Sequence, residues 1–248
     1  KKEFENSTNF LKPIVSLKYS PNNTKDISES GARLDYSSIF SLNRIGSSNT
    51  VEGGRSLTLG LEFEKQDLNN EKVLGFNIAN VIKDKKNKNL PNKSKLNQTR
   101  SDIVGELDYI LNDTIDLRYK FSYDRDLHHS NYDSLATTFK VNNFITTFDY
   151  LTEHNDLDDK EVLTLQSSYD FNDRSNLNFR TRKDLDKDFT EYYNLIYTYK
   201  TDCLEANFEY NKKYYTDGSL QPDQSLFFTL KFIPFVEIRG RDNRLQDY

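Results

Sequence analysis

The chain has 248 residues, 35% hydrophobic and 29% charged, with a net charge of −5. That apolar share is thin for one large soluble core, where close to half would be usual. The mild acidity argues against a nucleic-acid binder, which would carry a basic stripe. No apolar run approaches the ~20 residues of a membrane-spanning helix. With neither a leader nor any Met, the chain is expected to be a fragment or a mature C-terminal portion.

Apolar and polar residues alternate with period two along nearly the whole length, the mark of strands with one apolar and one polar face. The first predicted strand spans 10–19. The long polar stretch 20–55 follows, with Leu34, Tyr36, Phe40 and Leu42 at strand-like spacing. It reads either as a loop inserted into a lumen or as a hidden hairpin. In the next strand, 56–65, Leu57, Leu59, Leu61 and Phe63 alternate with Thr58, Gly60, Glu62 and Glu64. Strands at 72–82 and 101–111 come next. In 115–125, Ile115, Leu117, Tyr119, Phe121 and Tyr123 alternate with Asp116, Arg118, Lys120, Ser122 and Asp124. Then come 134–141, 144–153, 161–171, 175–184 and 190–200. In 204–214, Leu204, Ala206, Phe208 and Tyr210 alternate with Glu205, Asn207, Glu209 and Asn211. The last, 224–233, sets Leu226, Phe228, Leu230 and Phe232 against Phe227, Thr229 and Lys231. Residues 235–248 remain as a tail, for about twelve strands in all.

The connections alternate in kind. Tight turns rich in Asn and Asp fall at 112–114, 142–143, 172–174 and 201–203, and longer polar loops at 83–100, 126–133, 154–160, 185–189 and 215–223. Short turns at one end, long loops at the other and segments near ~9–11 residues describe an antiparallel transmembrane outer-membrane β-barrel. Its lumen is wet and needs no apolar filling, so Asp116, Arg118, Lys120, Glu205, Asn207 and Glu209 are expected to face water there. Arg at Leu59 or Leu117 should obstruct insertion, whereas Arg at Thr58 or Asp116 should be tolerated.

Little in the chain suggests chemistry. His128, His129 and His154 fall in loops without a ligand set, and the acidic run 156–159 lacks the Gly and Glu of a calcium loop. The basic run 83–88 fits either phosphate attraction or simple solvation. Gly53-Gly54-Arg55 precedes a strand rather than a helix, so it is no phosphate cradle. Neither an enzyme nor a cofactor is expected. The main competitor to a specialised transporter is a diffusion porin or nutrient-uptake barrel.

Four stretches carry a family resemblance. They are PIVSLKYSP (13–21), LDYSSIFSLNRIGSSNTVEGGRSLTLG (34–60), LPNKSKLNQTRSDIVG (90–105) and DCLEANFEYNKKYYTDGSLQPDQSLFFTLKF (202–232). Together they resemble the barrel region of the LPS-assembly family LptD, the organic-solvent-tolerance proteins. The resemblance implies a wide barrel of about 26 strands, of which this chain would be the C-terminal part. It also implies a preceding periplasmic domain, an LptE-like plug lipoprotein and an LptA-like periplasmic bridge. Lipopolysaccharide would pass through a lateral gate between the first and last strands into the outer leaflet. The closing strand, with Leu226, Phe228, Thr229, Leu230 and Phe232, would form one lip. Cys203 would form a disulfide with the periplasmic domain, although many members have two adjacent cysteines where this chain has one.

Overall fold

A computed structural model describes residues 1–4, 6–21, 23–154, 159–214, 222–232 and 236–242. The chain is all-β and antiparallel. Its strands are β1 (Lys2–Phe4), β2 (Ser7–Ser20), β3 (Gly54–Gln66), β4 (Lys72–Lys83), β5 (Ile103–Asn112), β6 (Ile115–Tyr123) and β7 (Ser130–Val141). They continue with β8 (Phe144–Glu153), β9 (Lys160–Asn172), β10 (Ser175–Asp184), β11 (Phe189–Lys200), β12 (Leu204–Lys213), β13 (Asp223–Phe232) and β14 (Val236–Asp242). Strand order within the sheet is chain order. The only α-helix among the described residues, α1 (Tyr36–Ile39), is a single turn.

The chain divides into two compact units. In the first (Lys1–Asn112, Asp116–Leu135 and Thr152–Asp159), the register of β2 to β5 sets Ser16 opposite Thr58, Thr58 opposite Val81 and Ala79 opposite Val104. These residues share the polar face predicted for β3. The opposite face carries Leu11, Val15, Leu17, Tyr19 and Leu59, all exposed, Leu17 to 82%. Apolar side chains on the open face of a sheet need a nonaqueous surrounding, and hydrocarbon provides one.

The buried core lies on the polar-patterned face. Leu34, Tyr36, Ile39 and Ile45 from the 21–53 loop, with Leu90 and Leu96 from the 84–102 loop, pack onto Ala79, Val81 and Val104. The stretch 20–55 is therefore a folded loop, with no hairpin among its described residues. Asp35 ends the extended approach by capping α1: its carboxylate accepts from the Ser38 amide at 2.9 Å, and the Ser38 hydroxyl accepts from the Asp35 amide in return.

In the second unit (Asp113–Ile115, Ala136–Leu151 and Lys160–Tyr248), β9 to β14 pair in sequence. Tyr193, Leu195, Tyr197, Tyr199, Phe208, Leu226 and Phe228 are exposed on one face. The Phe208 and Phe228 rings sit 4.8 Å apart across the β12–β13 pair.

Three expectations change. The described residues hold fourteen strands rather than about twelve. β1 is too short to display an alternation, and β14 (VEIRGRD) has too few apolar residues to announce one. The expected tail 235–248 thus contains β14, which pairs along β13 from Phe232↔Val236 to Leu226↔Asp242, so β13 is not the closing strand. Thr58 lies on the polar face as expected but is buried under the 21–53 loop rather than facing water. The acidic residues 156–158 and most of the 215–223 loop lie outside the described residues.

Leu59→Arg or Leu117→Arg is expected to cost roughly 2–4 kcal/mol of folding stability in bilayers, the depth-dependent penalty for a lipid-facing charge. Asp116→Arg should fold as before. The check is the heat-modifiable gel shift of protein refolded into vesicles, titrated with urea.

Candidate functional site: a polar face and the two loops that cap it

The polar face carries paired charges and amides. On β5 and β6, Asp108 accepts from Arg118 Nε at 2.7 Å and from Lys72 Nζ at 2.9 Å. Lys120, two residues along the same face, bears electrostatically on Asp35 of the 21–53 loop. On β11 and β12, Asn194 and Asn211 each donate to Glu209 at 2.8 Å, the Thr198 hydroxyl donates to Asn207 at 2.7 Å, and Asn207 donates to Glu205 at 3.2 Å. Arg118, Glu205, Asn207 and Glu209 thus bond to polar neighbours on their own face of the strands, and Asp116 and Lys120 share the parity of Arg118. On β13 the register sets Thr229 opposite Asn207, which puts Leu226, Phe228, Leu230 and Phe232 on the apolar side. Cys203 is an exposed free thiol in the β11–β12 turn.

Sequence reasoning missed the centre of the cap. Arg44 and Glu52, both in the 21–53 loop, form an ion pair of 2.5 Å with side chains 1% and 2% exposed. The rest of the Arg44 guanidinium donates to the Ser56 hydroxyl at 2.6 Å and the Thr58 hydroxyl at 3.0 Å on β3. Lys18 of β2 and Lys83 of β4 each approach Glu52 to 3.5 Å. Lys18 also donates to the Leu42 carbonyl at 2.7 Å, and Lys83 donates to the Leu96 carbonyl of the 84–102 loop. One carboxylate thus ties three strands and two loops together. Burial alone would raise the Glu52 pKa, but the hydrogen bond from Arg44 and the charges of Arg44, Lys83 and Lys18 outweigh it and hold the carboxyl below its ordinary 4.5.

The loops also bond to each other. Asn87 and Asn89 reach Thr24, its hydroxyl at 2.9 Å and its carbonyl at 2.8 Å, and the Leu34 amide donates to the Ser94 hydroxyl at 3.0 Å. Phe40 rests on Gly60, where a Cβ would stand 2.5 Å from the ring. This explains a glycine in mid-strand. Of the basic run 83–88, Lys83 is structural while Lys85, Lys86 and Lys88 fall in the loop beyond it. The available sequence signal was the apolar run of Leu34, Tyr36, Ile39 and Phe40 followed by Arg44 and Glu52, a pattern ill suited to a free loop.

A family model described as LptD: LPS transport system D matches residues 1–174. The chain belongs to the LptD family. The match takes in β1 to β9 and the whole cap, hence three of the four resembling stretches; the fourth, 202–232, lies beyond it. No curated protein matches the chain. Among solved structures, a mutant of Rh. blastica porin aligns at 9% identity and a TM-score of 0.42, over 95% of this chain and 84% of that one. A chain titled "Asymmetric conductivity of engineered proteins" aligns with the same figures. A likeness at that TM-score carries no argument. Lipopolysaccharide transport is the work of the LptD family, and the cap is part of what its model recognises here.

Arg44→Met is expected to cost ~3–5 kcal/mol, because it strips the tightest partner from a buried carboxylate. Arg44→Met with Glu52→Leu should recover much of that loss. The cap should also loosen in acid: Glu52's contribution is present above its ordinary 4.5 and is lost as pH falls through its lower folded value. Protease cleavage within 21–53, measured from pH 7 down to 3, should rise at the acid end in the wild type and vary less in Glu52→Gln. Gly60→Val should expose the same loop at every pH by unseating Phe40.

Proposed function

We propose that the chain is the C-terminal part of an outer-membrane LptD barrel that inserts lipopolysaccharide into the outer leaflet through a lateral seam. The observation that carries this reading is the family match, which falls on a sheet with an exposed apolar face and a hydrogen-bonded polar one. The two faces suit the two halves of the cargo. Acyl chains must stay in hydrocarbon, and the sugar chain must cross it in a polar passage. A seam between strands lets both move at once, and no bond in the cargo is made or broken.

The polar residues of β5, β6, β11 and β12 offer sugar hydroxyls both donors and acceptors. The long-loop end, with the cap, would face the cell exterior. An LptE-like lipoprotein would fill the lumen, and an LptA-like bridge would deliver cargo through an N-terminal domain. Cys203, exposed in a short turn, would lie on the oxidising periplasmic side and within reach of a cysteine of that domain.

The lip of the seam falls to β14, since β13 has strand partners on both sides. An open strand edge in lipid leaves amides and carbonyls unpaired at several kcal/mol each, so the seam must reclose after each passage. The test is a disulfide in the full-length protein from a cysteine at Ile238 to the strand that closes the barrel. Surface lipopolysaccharide should stop accumulating under oxidation and resume on reduction. A control bridge from Thr229 to Arg239, register partners within the β13–β14 pair, should leave export unchanged. Undiminished export with the seam fully locked would refute the assignment.

A further inference from the structure

The long-loop ends of β2, β3 and β4 carry a groove on the face opposite the cap. Register sets Leu17 opposite Leu57, Leu57 opposite Ile82 and Ile82 opposite Arg100, so these four form one row of the apolar face. Two residues nearer the rim, Tyr19 stands opposite Arg55, and the Asp84 amide donates to the Arg55 carbonyl. Leu17, Tyr19, Arg55, Leu57, Ile82 and Asp84 line an open groove of about 450 Å³. Its apolar wall continues down β2 through Val15 and Leu11, both exposed. Lys18 and Lys83 also border it, but their ammonium groups are committed to Glu52 on the cap side.

This rim is positive on a chain that is net negative. The Arg55 guanidinium lies 5.8 Å from the Tyr19 ring centroid, and Arg100 flanks the apolar row beyond Ile82. Lys85, Lys86 and Lys88 follow Asp84 directly, all exposed. The bonds from Asn87 and Asn89 to Thr24 bring exposed Lys25 beside them from a distant part of the sequence. The carboxylates of these segments are Asp84 and Asp26, and Asp26 already accepts from the Ser28 amide at 3.0 Å and hydroxyl at 2.7 Å. Glu29 lines the separate cavity beside Tyr132. Six cations thus meet two carboxylates, and none of the six holds an ion pair among the described residues. An apolar wall beneath clustered cations matches a lipid with an anionic head, whose phosphate oxygens fit the guanidinium fork. A soluble anion would leave the groove unused, and an uncharged lipid would leave the cations unused.

We propose that this rim is a docking surface for the phosphorylated lipid of the outer leaflet, lipopolysaccharide, with its phosphates on Arg55 and Arg100 and an acyl chain along Leu17, Leu57 and Ile82. The choice of lipid rests on the transport reading above; the surface itself rests on the groove, the register row and the charge. Lys25, Lys85, Lys86 and Lys88 act at longer range, by drawing the phosphates to the rim. The lipid is held on the outer wall, by residues that take no part in the polar face.

The test titrates full-length protein, delipidated in mild detergent, with lipopolysaccharide and reads the bound lipid by native mass spectrometry. Arg55→Gln and Arg100→Gln should each weaken binding about tenfold, the worth of one charge-assisted hydrogen bond. Dephosphorylated lipopolysaccharide should bind the wild type no better than it binds the double variant. Changing Lys85, Lys86 and Lys88 together to Gln should weaken binding at low salt and have little effect near 1 M, where screening reaches about 3 Å. Protease resistance of the 21–53 loop should be unchanged in both arginine variants, which separates lost binding from a lost cap. Equal lipopolysaccharide binding by wild type and the double arginine variant, or undiminished binding of the dephosphorylated probe, overturns the proposal. Tighter binding of phosphatidylglycerol than of lipopolysaccharide overturns the choice of lipid. None of these failures touches the seam-lock test; export through a fully locked seam, with arginine-dependent binding intact, would sink the transport reading alone.

Discussion

Every residue of these strands brings a backbone donor and acceptor that hydrocarbon will not solvate, and the rest of the molecule answers to that requirement. Each strand interior to the sheet satisfies its groups through its sequence neighbours, and antiparallel order keeps those neighbours adjacent. Side chains are then free to differ completely between the two faces. Leu11, Val15 and Leu17 lie exposed on one side of β2, while Lys12 and Lys18 on the other make ion pairs with Glu62 and Glu52. A large, charged, poorly hydrophobic sequence can hold this structure because ladder hydrogen bonds carry the order that a core carries elsewhere.

The cap follows a different logic. It is a small hydrophobic core assembled on a polar face, and three cations converge on the buried carboxylate of Glu52. Ion pairs of this kind add little net stability over apolar packing of equal volume. Their value lies in discrimination: Arg44 reaches Glu52, Ser56 and Thr58 together only when the loop sits in one position. Unguided apolar contacts would accept several.

Much of the sheet was legible because period-two alternation leaves one solution for which face is which. Strands β8 and β10 were placed to the residue, and most others to within a residue or three. The errors share a cause. β14 has too little apolar content to show a pattern, and β7 begins at Ser130 rather than 134 because Asn131 and Asp133 read as loop residues. The cap was hidden for a deeper reason. Leu34, Tyr36 and Phe40 looked strand-like by spacing, but their burial depends on residues 90–104, which no local window includes. Lys83 likewise read as the start of a solvated basic loop, although its ammonium lies between Glu52 and the Leu96 carbonyl. Sequence periodicity reports what a strand presents, and it says nothing of what a distant loop lays over it.

The Leu34–Ser94 and Thr24–Asn89 bonds join segments about sixty residues apart in the chain, and both loops bear on β3 and β4 between them. Neither loop has a platform until β2, β3 and β4 are zipped in register, since Ser56, Thr58, Lys18 and Lys83 come from all three. Closing so long a loop is entropically unfavourable until those strands hold its ends together. The cap therefore assembles last in its part of the molecule. Its completion reports on the strands beneath it: a register slip of one residue would turn Thr58 and Lys83 to the far face and leave Glu52 with nothing to close upon.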